Sequence, residues 1–212
     1  MNLKNFYWYF QNPFPKSFIN KILKLGNKNK KHIAITGNQG FNRNLKKNPL
    51  SKKELVQLKK HRNSKINWLQ EKWIYETINP AITAANHNAG WNFQWDWNEN
   101  AQFTEYKKGQ FYDWHMDSWA EPYKSNAGKD FEGKIRKLSS VLLLSQPGKD
   151  FEGGEFEMDF SNGGSEGTRV ITEINTKGSL IVFPSFVKHR VRPVTKGTRY
   201  SMPMWHLGEP WK

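Results

Sequence analysis

The alternation of apolar and polar positions divides the chain into a helical first part and a strand-rich remainder. Phe18, Ile19, Ile22, Leu23 and Leu25 recur at helical spacing after Pro13, Pro15 and Ser17, and predict an amphipathic helix over about 16–25, capped at both ends. Gly26–Lys31 reads as a turn, His32–Thr36 as a strand and 37–49 as a polar loop. Ser51-Lys52-Lys53-Glu54 has capping-box spacing and opens a helix through about His61. A longer helix is predicted over about 70–86, with Trp73, Ile74, Thr77, Ile78, Ile82 and Ala85 on one side. Pro80 is expected to kink or split it, because proline removes a helical hydrogen bond.

From Trp91 the texture changes to short runs separated by Gly, Pro and Asn. Trp91, Phe93, Trp95 and Trp97 alternate with polar residues, the period of a half-buried strand. Further strands are predicted at 102–106, 113–117, 137–145, 154–160, 168–174, 179–184, 188–193 and 198–205. The polar stretch Ser118–Lys134 interrupts them as a long loop. Eight or nine such strands behind a helical layer predict an α+β, mainly β chain. The expected architecture is a double-stranded β-helix (jelly-roll or cupin-like) barrel over 91–212. Residues 1–90 form a basic helical layer packed on its outside rather than an independent domain.

Composition narrows the function classes. The 212 residues contain no cysteine, which excludes disulfides, thiolate metal sites and a cysteine nucleophile. Aromatic residues at 15% supply enough apolar area to argue against disorder. No apolar run is long enough to span a membrane, and the N-terminus lacks a basic start followed by an apolar core. A cytoplasmic protein is therefore expected.

The net charge of +14 is confined to one region. Residues 1–65 carry sixteen Lys and Arg against one acid, Glu54, whereas 66–212 sum to −1. Lysine (26) and asparagine (21), both favoured by A/T-rich codons, dominate the composition. Base composition, nucleic-acid binding and docking of an acidic partner are the three readings of this region, with nucleic acid not the favoured one.

The candidate chemistry lies in the second half. His115 and Asp117 are separated by one residue, so on a strand both side chains would face the same way. An apolar strand and a Pro184-Ser185 turn precede His189, and Arg199 follows ten residues later. Two histidines and one carboxylate occupy one face of an octahedral ferrous ion and leave positions for a co-substrate and dioxygen. An arginine offers a planar fork for a carboxylate inside a dry barrel. Residues 189 and 199 share parity, so both can face the interior if no bulge intervenes. The competing structural reading of the trio is a hydrogen-bonded cluster in a metal-free binding barrel.

The pattern Tyr106-x-x-Gly109-x-Phe111-Tyr112-x-Trp114-His115-x-Asp117, with His189 and Arg199 downstream, resembles the Fe(II)/2-oxoglutarate-dependent dioxygenases. Within them it is most similar to the prolyl 4-hydroxylase group, including PKHD-type hydroxylases. Arg136-Lys137-Leu138-Ser139, Phe151-Glu152-Gly153-Gly154-Glu155-Phe156 and the run from Phe183 to Ser201 continue the likeness, which spans about 91–208. The resemblance implies that His115, Asp117 and His189 ligate iron, and that Arg199 and Tyr106 hold the distal carboxylate of 2-oxoglutarate. It places Trp205 and, less directly, Tyr112 beside the substrate. It further implies O2 as oxidant, ascorbate (vitamin C) as reductant, succinate and carbon dioxide as products, and a prolyl residue of a peptide or protein as substrate. A free amino acid, small metabolite or nucleobase is the alternative substrate, and a non-catalytic binding module the alternative of another class. Oligomeric state is not legible. Gly153-Gly154 reads as a bulge or tight turn rather than a phosphate loop, and His32, His61 and His87 as exposed or packing histidines.

Overall fold

A computed structural model describes residues 3–35, 49–119, 121–124, 127–161 and 167–211. The predicted loop at 37–48 and the end of the predicted strand at Thr36 lie outside them. The chain begins with strand β1 (Trp8–Phe10), helix α1 (Lys16–Lys28) and strand β2 (His32–Ile33). Helix α2 (Lys52–His61), strands β3 (Arg62–Asn63) and β4 (Lys65–Leu69), and helix α3 (Lys72–Asn88) follow. The remaining strands are β5 (Trp97–Asn98), β6 (Ala101–Lys107), β7 (Phe111–His115), β8 (Ile135–Leu143) and β9 (Phe151–Gly153). Last come β10 (Phe156–Asp159), β11 (Thr168–Val170), β12 (Leu180–Pro184), β13 (Lys188–Val191) and β14 (Val194–Gly208).

The strands form two antiparallel sheets. The larger runs β1-β12-β8-β14-β6-β4-β2, and the smaller runs β11-β10-β13-β7-β3. This is the mainly β, jelly-roll architecture expected from the strand spacing. Strand β14 is the spine: its first residues pair with β9 and the rest with β6, β8 and β5.

Strand periodicity explains how one sheet serves two cores. Leu138 and Leu142 of β8 and Leu180 and Val182 of β12 pack with Ile74, Ile78 and Ile82 of α3. Their neighbours Val141, Leu143, Ile181 and Phe183 point the other way, toward Phe156, Met158 and Val191 of the small sheet. Strands buried on both faces read as continuous apolar runs, as 180–184 does. The first ninety residues supply these packed helices, and also strands to both sheets through β1, β2, β3 and β4.

Several local expectations are corrected. Helix α1 runs through Gly26 to Lys28, and its N-cap residue, Pro15, contributes no side-chain cap. Gly26 is present for close approach, not termination: a methyl there would overlap the Phe103 ring of β6. Helix α3 is continuous through Pro80. Pro80 and Glu76, whose carbonyl loses its partner, are both exposed, so water can take that hydrogen bond. The Trp91–Trp97 alternation gives strand only at its end. Asn86 instead caps this segment, donating from Nδ2 to the Phe93 carbonyl (2.9 Å) and accepting from the Phe93 N–H (3.0 Å). The capping box at Ser51 and Glu54 forms as predicted.

Candidate active site

His115 ends β7 and stands directly across from His189 on β13, so the small sheet alone brings two imidazoles together. Asp117 arrives differently. Strand β7 stops at His115, and the Asp117 and Ser118 N–H groups both donate to the Ser185 carbonyl (2.9 and 3.0 Å) in the turn after β12. The same-strand placement of His115 and Asp117 is thus corrected: a turn, pinned to a turn, carries the carboxylate. The His115 Nε2 to Asp117 Oδ1 distance is 3.7 Å and the His189 Nε2 to Asp117 Oδ2 distance 3.5 Å. One ligand atom from each of the three residues falls within 4.8 Å of the others.

The surroundings fix the state of each group. His115 Nδ1 lies 2.8 Å from the Asp113 carbonyl and His189 Nδ1 2.9 Å from the Val187 carbonyl. A carbonyl only accepts, so each Nδ1 carries a proton and each Nε2 is the nitrogen turned to the centre, where the neutral ring has its lone pair. Burial, reinforced by His189, holds the His115 imidazole down at about 3. Burial alone would raise the Asp117 carboxyl, but His189, His115 and Arg136 keep it down at about 2. Ser139 Oγ donates to Asp117 Oδ2 at 2.8 Å and lies 2.9 Å from Ser185 Oγ. Tyr112 lines the cavity, yet its ring stacks on His115 (3.5 Å, 13°) and is covered by the Arg62 guanidinium at 4.4 Å.

Arg199 lies in β14 across from Tyr106 of β6, and its guanidinium is 5.6 Å from the Tyr106 ring. It is only 2% exposed, donates to Ser201 Oγ at 2.9 Å, and has no carboxylate within ion-pair distance among the described residues. The parity argument for residues 189 and 199 does not apply, because they sit on different strands and the ladder shifts register between Val194 and Lys196. Gly154, at φ +63°, makes room for this arginine: a Cβ there would stand 3.0 Å from Arg199 Cδ. Odd positions of β14 from Arg199 to Trp205 line one open cavity of about 1170 Å³, as do the triad, Tyr106 and Tyr112.

A second cluster was not anticipated. Arg136 forms a two-point pair with Glu99 (2.5 and 2.6 Å), reaches the Asp117 carbonyl at 3.3 Å, and stacks 4.0 Å from the Trp205 ring. Tyr123 donates to the same Glu99 at 2.7 Å. The only sequence signal was the Arg136–Ser139 run. His206 faces the other way, between Asn98 Oδ1 (2.6 Å) and Ser140 Oγ (3.0 Å), outside the cavity.

Two imidazoles that turn Nε2 to one carboxylate, and a buried cation with no carboxylate in ion-pair range among the described residues, fit a ferrous ion with an anionic co-substrate. Fold and site together define a double-stranded β-helix protein with a two-histidine, one-carboxylate centre. Residues 101–207 match the 2OG-Fe(II) oxygenase superfamily, and the chain belongs to it. A PKHD-type hydroxylase of Idiomarina loihiensis is 32% identical over 100 residues, covering 47% of this chain and 38% of that protein. One of Xanthomonas campestris is 30% identical over 104 residues, covering 49% and 41%. The matched region thus spans about two-fifths of these curated relatives. Among solved structures, a Pseudomonas putida prolyl-4-hydroxylase superposes with TM-score 0.65 at 17% identity, over 96% of this chain and 93% of that one. A Trichoplax adhaerens prolyl hydroxylase bound to a hypoxia-inducible-factor peptide fragment gives 0.64 at 17%, over 96% and 84%. These likenesses establish the shared fold.

Proposed function

We propose that the protein is an Fe(II)- and 2-oxoglutarate-dependent dioxygenase that hydroxylates an unactivated C–H bond of a prolyl residue in a peptide or protein. The observation that carries this reading is the convergence of the two lone-pair imidazole nitrogens on an anionic Asp117 beside the uncompensated Arg199. His115, Asp117 and His189 would hold the iron, and Arg199 with Tyr106 the distal carboxylate of 2-oxoglutarate. The bound pair would activate O2 as the oxidant, one oxygen atom ending in succinate as carbon dioxide is lost and the other in the hydroxyl group, with ascorbate restoring the ferrous state.

The chain's own contribution is placement. The Asp113 and Val187 carbonyls fix the histidine tautomers, and Ser139 and the Ser185 backbone fix Asp117. Phe156 and Phe183 pack against His189 and keep that side of the centre dry. Trp205, held by Arg136, and Tyr112, held on His115, form the substrate side. A wide-mouthed cavity with exposed Trp68 and Trp119 at its rim suits a chain segment better than an enclosed metabolite. The peptide-bound Trichoplax neighbour and the PKHD-type relatives support the same substrate class. The test is anaerobic calorimetry with Fe(II) and 2-oxoglutarate, followed by succinate release in air with ascorbate. Absence of 2-oxoglutarate binding would end the reading. Peptide-borne substrate is then sought as a +16 Da product by mass spectrometry of host-lysate peptides.

A further inference from the structure

Two features outside the metal centre meet at the mouth of the cavity. The first is apolar. Ten large apolar side chains are exposed among the described residues, and four of them, Ile33, Trp68, Met116 and Trp119, line this one opening. Apolar surface concentrated at a single rim marks a contact surface rather than the scattered exposure of an ordinary protein.

The second is cationic. Helix α2 packs against β3 and β7, beside the strand that carries His115, and its last residue, His61, lines the cavity. Lys52, Lys53, Lys59 and Lys60 on this helix are exposed, and no acid lies within ion-pair distance of them among the described residues. A/T-rich codon usage raises lysine along a whole chain. It does not by itself leave 65 residues with a single acid while the following 147 are near neutral.

We infer that this rim is a docking surface for an extended acidic peptide, with apolar side chains near the hydroxylated residue seated on Trp68 and Trp119 and carboxylates lying over the α2 lysines. The inference rests on the proposed peptide hydroxylation and names the kind of peptide. Carboxylates are favoured over phosphates by the geometry of the helix. The N-terminus of α2, where a phosphate would sit, is already occupied by the Glu54 carboxylate, which accepts from the Ser51 N–H at 2.8 Å.

The test uses the full chain and two fluorescein-labelled peptides with a central Leu-Pro-Leu, one flanked by glutamates and the other by lysines. Binding is read by anisotropy. The glutamate peptide should bind at least about tenfold tighter at low salt, and its advantage should fade at 1 M salt, where the Debye length is about 3 Å. The double variant Lys59→Glu, Lys60→Glu should reverse the ranking, a result that a misfolded protein cannot give. Trp68→Ala should weaken both peptides. Equal affinity of the two peptides for the wild-type chain would overturn the inference. So would displacement of the glutamate peptide by an equally charged oligothymidylate at lower concentration, which would assign the surface to nucleic acid. Because anisotropy needs no turnover, a chain that binds the acidic peptide but no 2-oxoglutarate refutes the enzymatic reading alone.

Discussion

Arg199→Met separates a functional cation from a structural one, because the two roles predict opposite signs. The side chain is 2% exposed, its guanidinium has a serine hydroxyl and an aromatic ring for company, and burial lowers its pKa. Leaving an ion buried without its counterion costs several kcal/mol, and replacing buried ionic groups by apolar ones of similar volume stabilises by about 1–4 kcal/mol. For a chain of this size each kcal/mol moves the melting temperature by about 2–4 °C. The variant without ligand should therefore melt several degrees above the wild type. Its affinity for 2-oxoglutarate should fall by about 2–5 kcal/mol, the usual loss when one partner of a buried charge pair is truncated. That is a decrease of roughly 30-fold to several thousand-fold at 1.4 kcal/mol per decade. Differential scanning fluorimetry with and without 2-oxoglutarate reads both effects. The wild type should gain stability with ligand concentration, and the variant should start higher and gain only at ligand concentrations at least about 30-fold higher. A variant that melts lower and still responds to 2-oxoglutarate would refute the assignment and make Arg199 a structural residue.

Ser139→Ala removes the hydroxyl that donates to Asp117 Oδ2 and leaves the Ser185 hydroxyl unpartnered. Fe(II) affinity, measured by chelator competition, should drop about 10–100-fold and return in Ser139→Thr. Gly26→Ala would improve helix propensity by about 1 kcal/mol in isolation. Here it should destabilise by about 1–3 kcal/mol in urea titration, since the new methyl overlaps Phe103; a stabilised variant would contradict the packing of α1 on β6. Burial holds His206 at about 3, and burial with His189 holds His115 there too, so both stay neutral in the folded metal-free chain. Below pH 6.5 the unfolded chain takes up protons that the folded chain refuses. Stability is thus fully present above that pH and is lost toward pH 3, at up to about 1.4 kcal/mol per unit for each histidine. Equal urea midpoints at pH 7 and pH 5 would contradict this.

The site was more legible in the sequence than the elements that hold it. His115, Asp117, His189 and Arg199 are fixed by chemistry at particular spacings, and the fold brings them to one cavity. The route is less legible: the spacing puts Asp117 on the strand of His115, whereas the structure carries it in the turn beyond. Nothing local in Trp114–Ser118 announces that β7 ends and that Ser185, about 70 residues away, takes over the backbone. Strands β8, β12 and β14 were found because they are buried on both faces and long enough to show a pattern. The three-residue strands β1 and β9 leave too few positions for periodicity to register. Gly26 and Pro80 carry local preferences, to end a helix and to kink or split it. Packing against Phe103 in one case carries the helix on, and solvent access in the other spares it the split.

The register of β14 also orders the cavity. Arg199, Ser201, Pro203 and Trp205 share one face of one strand, so they run in sequence along the cavity wall. Trp205 pairs with Ser139 of β8, and Ser139 holds Asp117, so the His115–Asp117–His189 cluster sits level with the tryptophan end. Arg199 pairs with Tyr106 six residues further along, beside Gly154 and enclosed. Under the proposed function, a dicarboxylate reaching from the His115–Asp117–His189 cluster to Arg199 would fill the enclosed end, and substrate would enter over Trp205. That approach is flanked by Trp119 and Trp68, with Arg136 clamped to Glu99 behind the Trp205 ring. The same register that buries Arg199 thus puts Trp205 on the side where the exposed apolar rim lies, which is where the proposed substrate would approach.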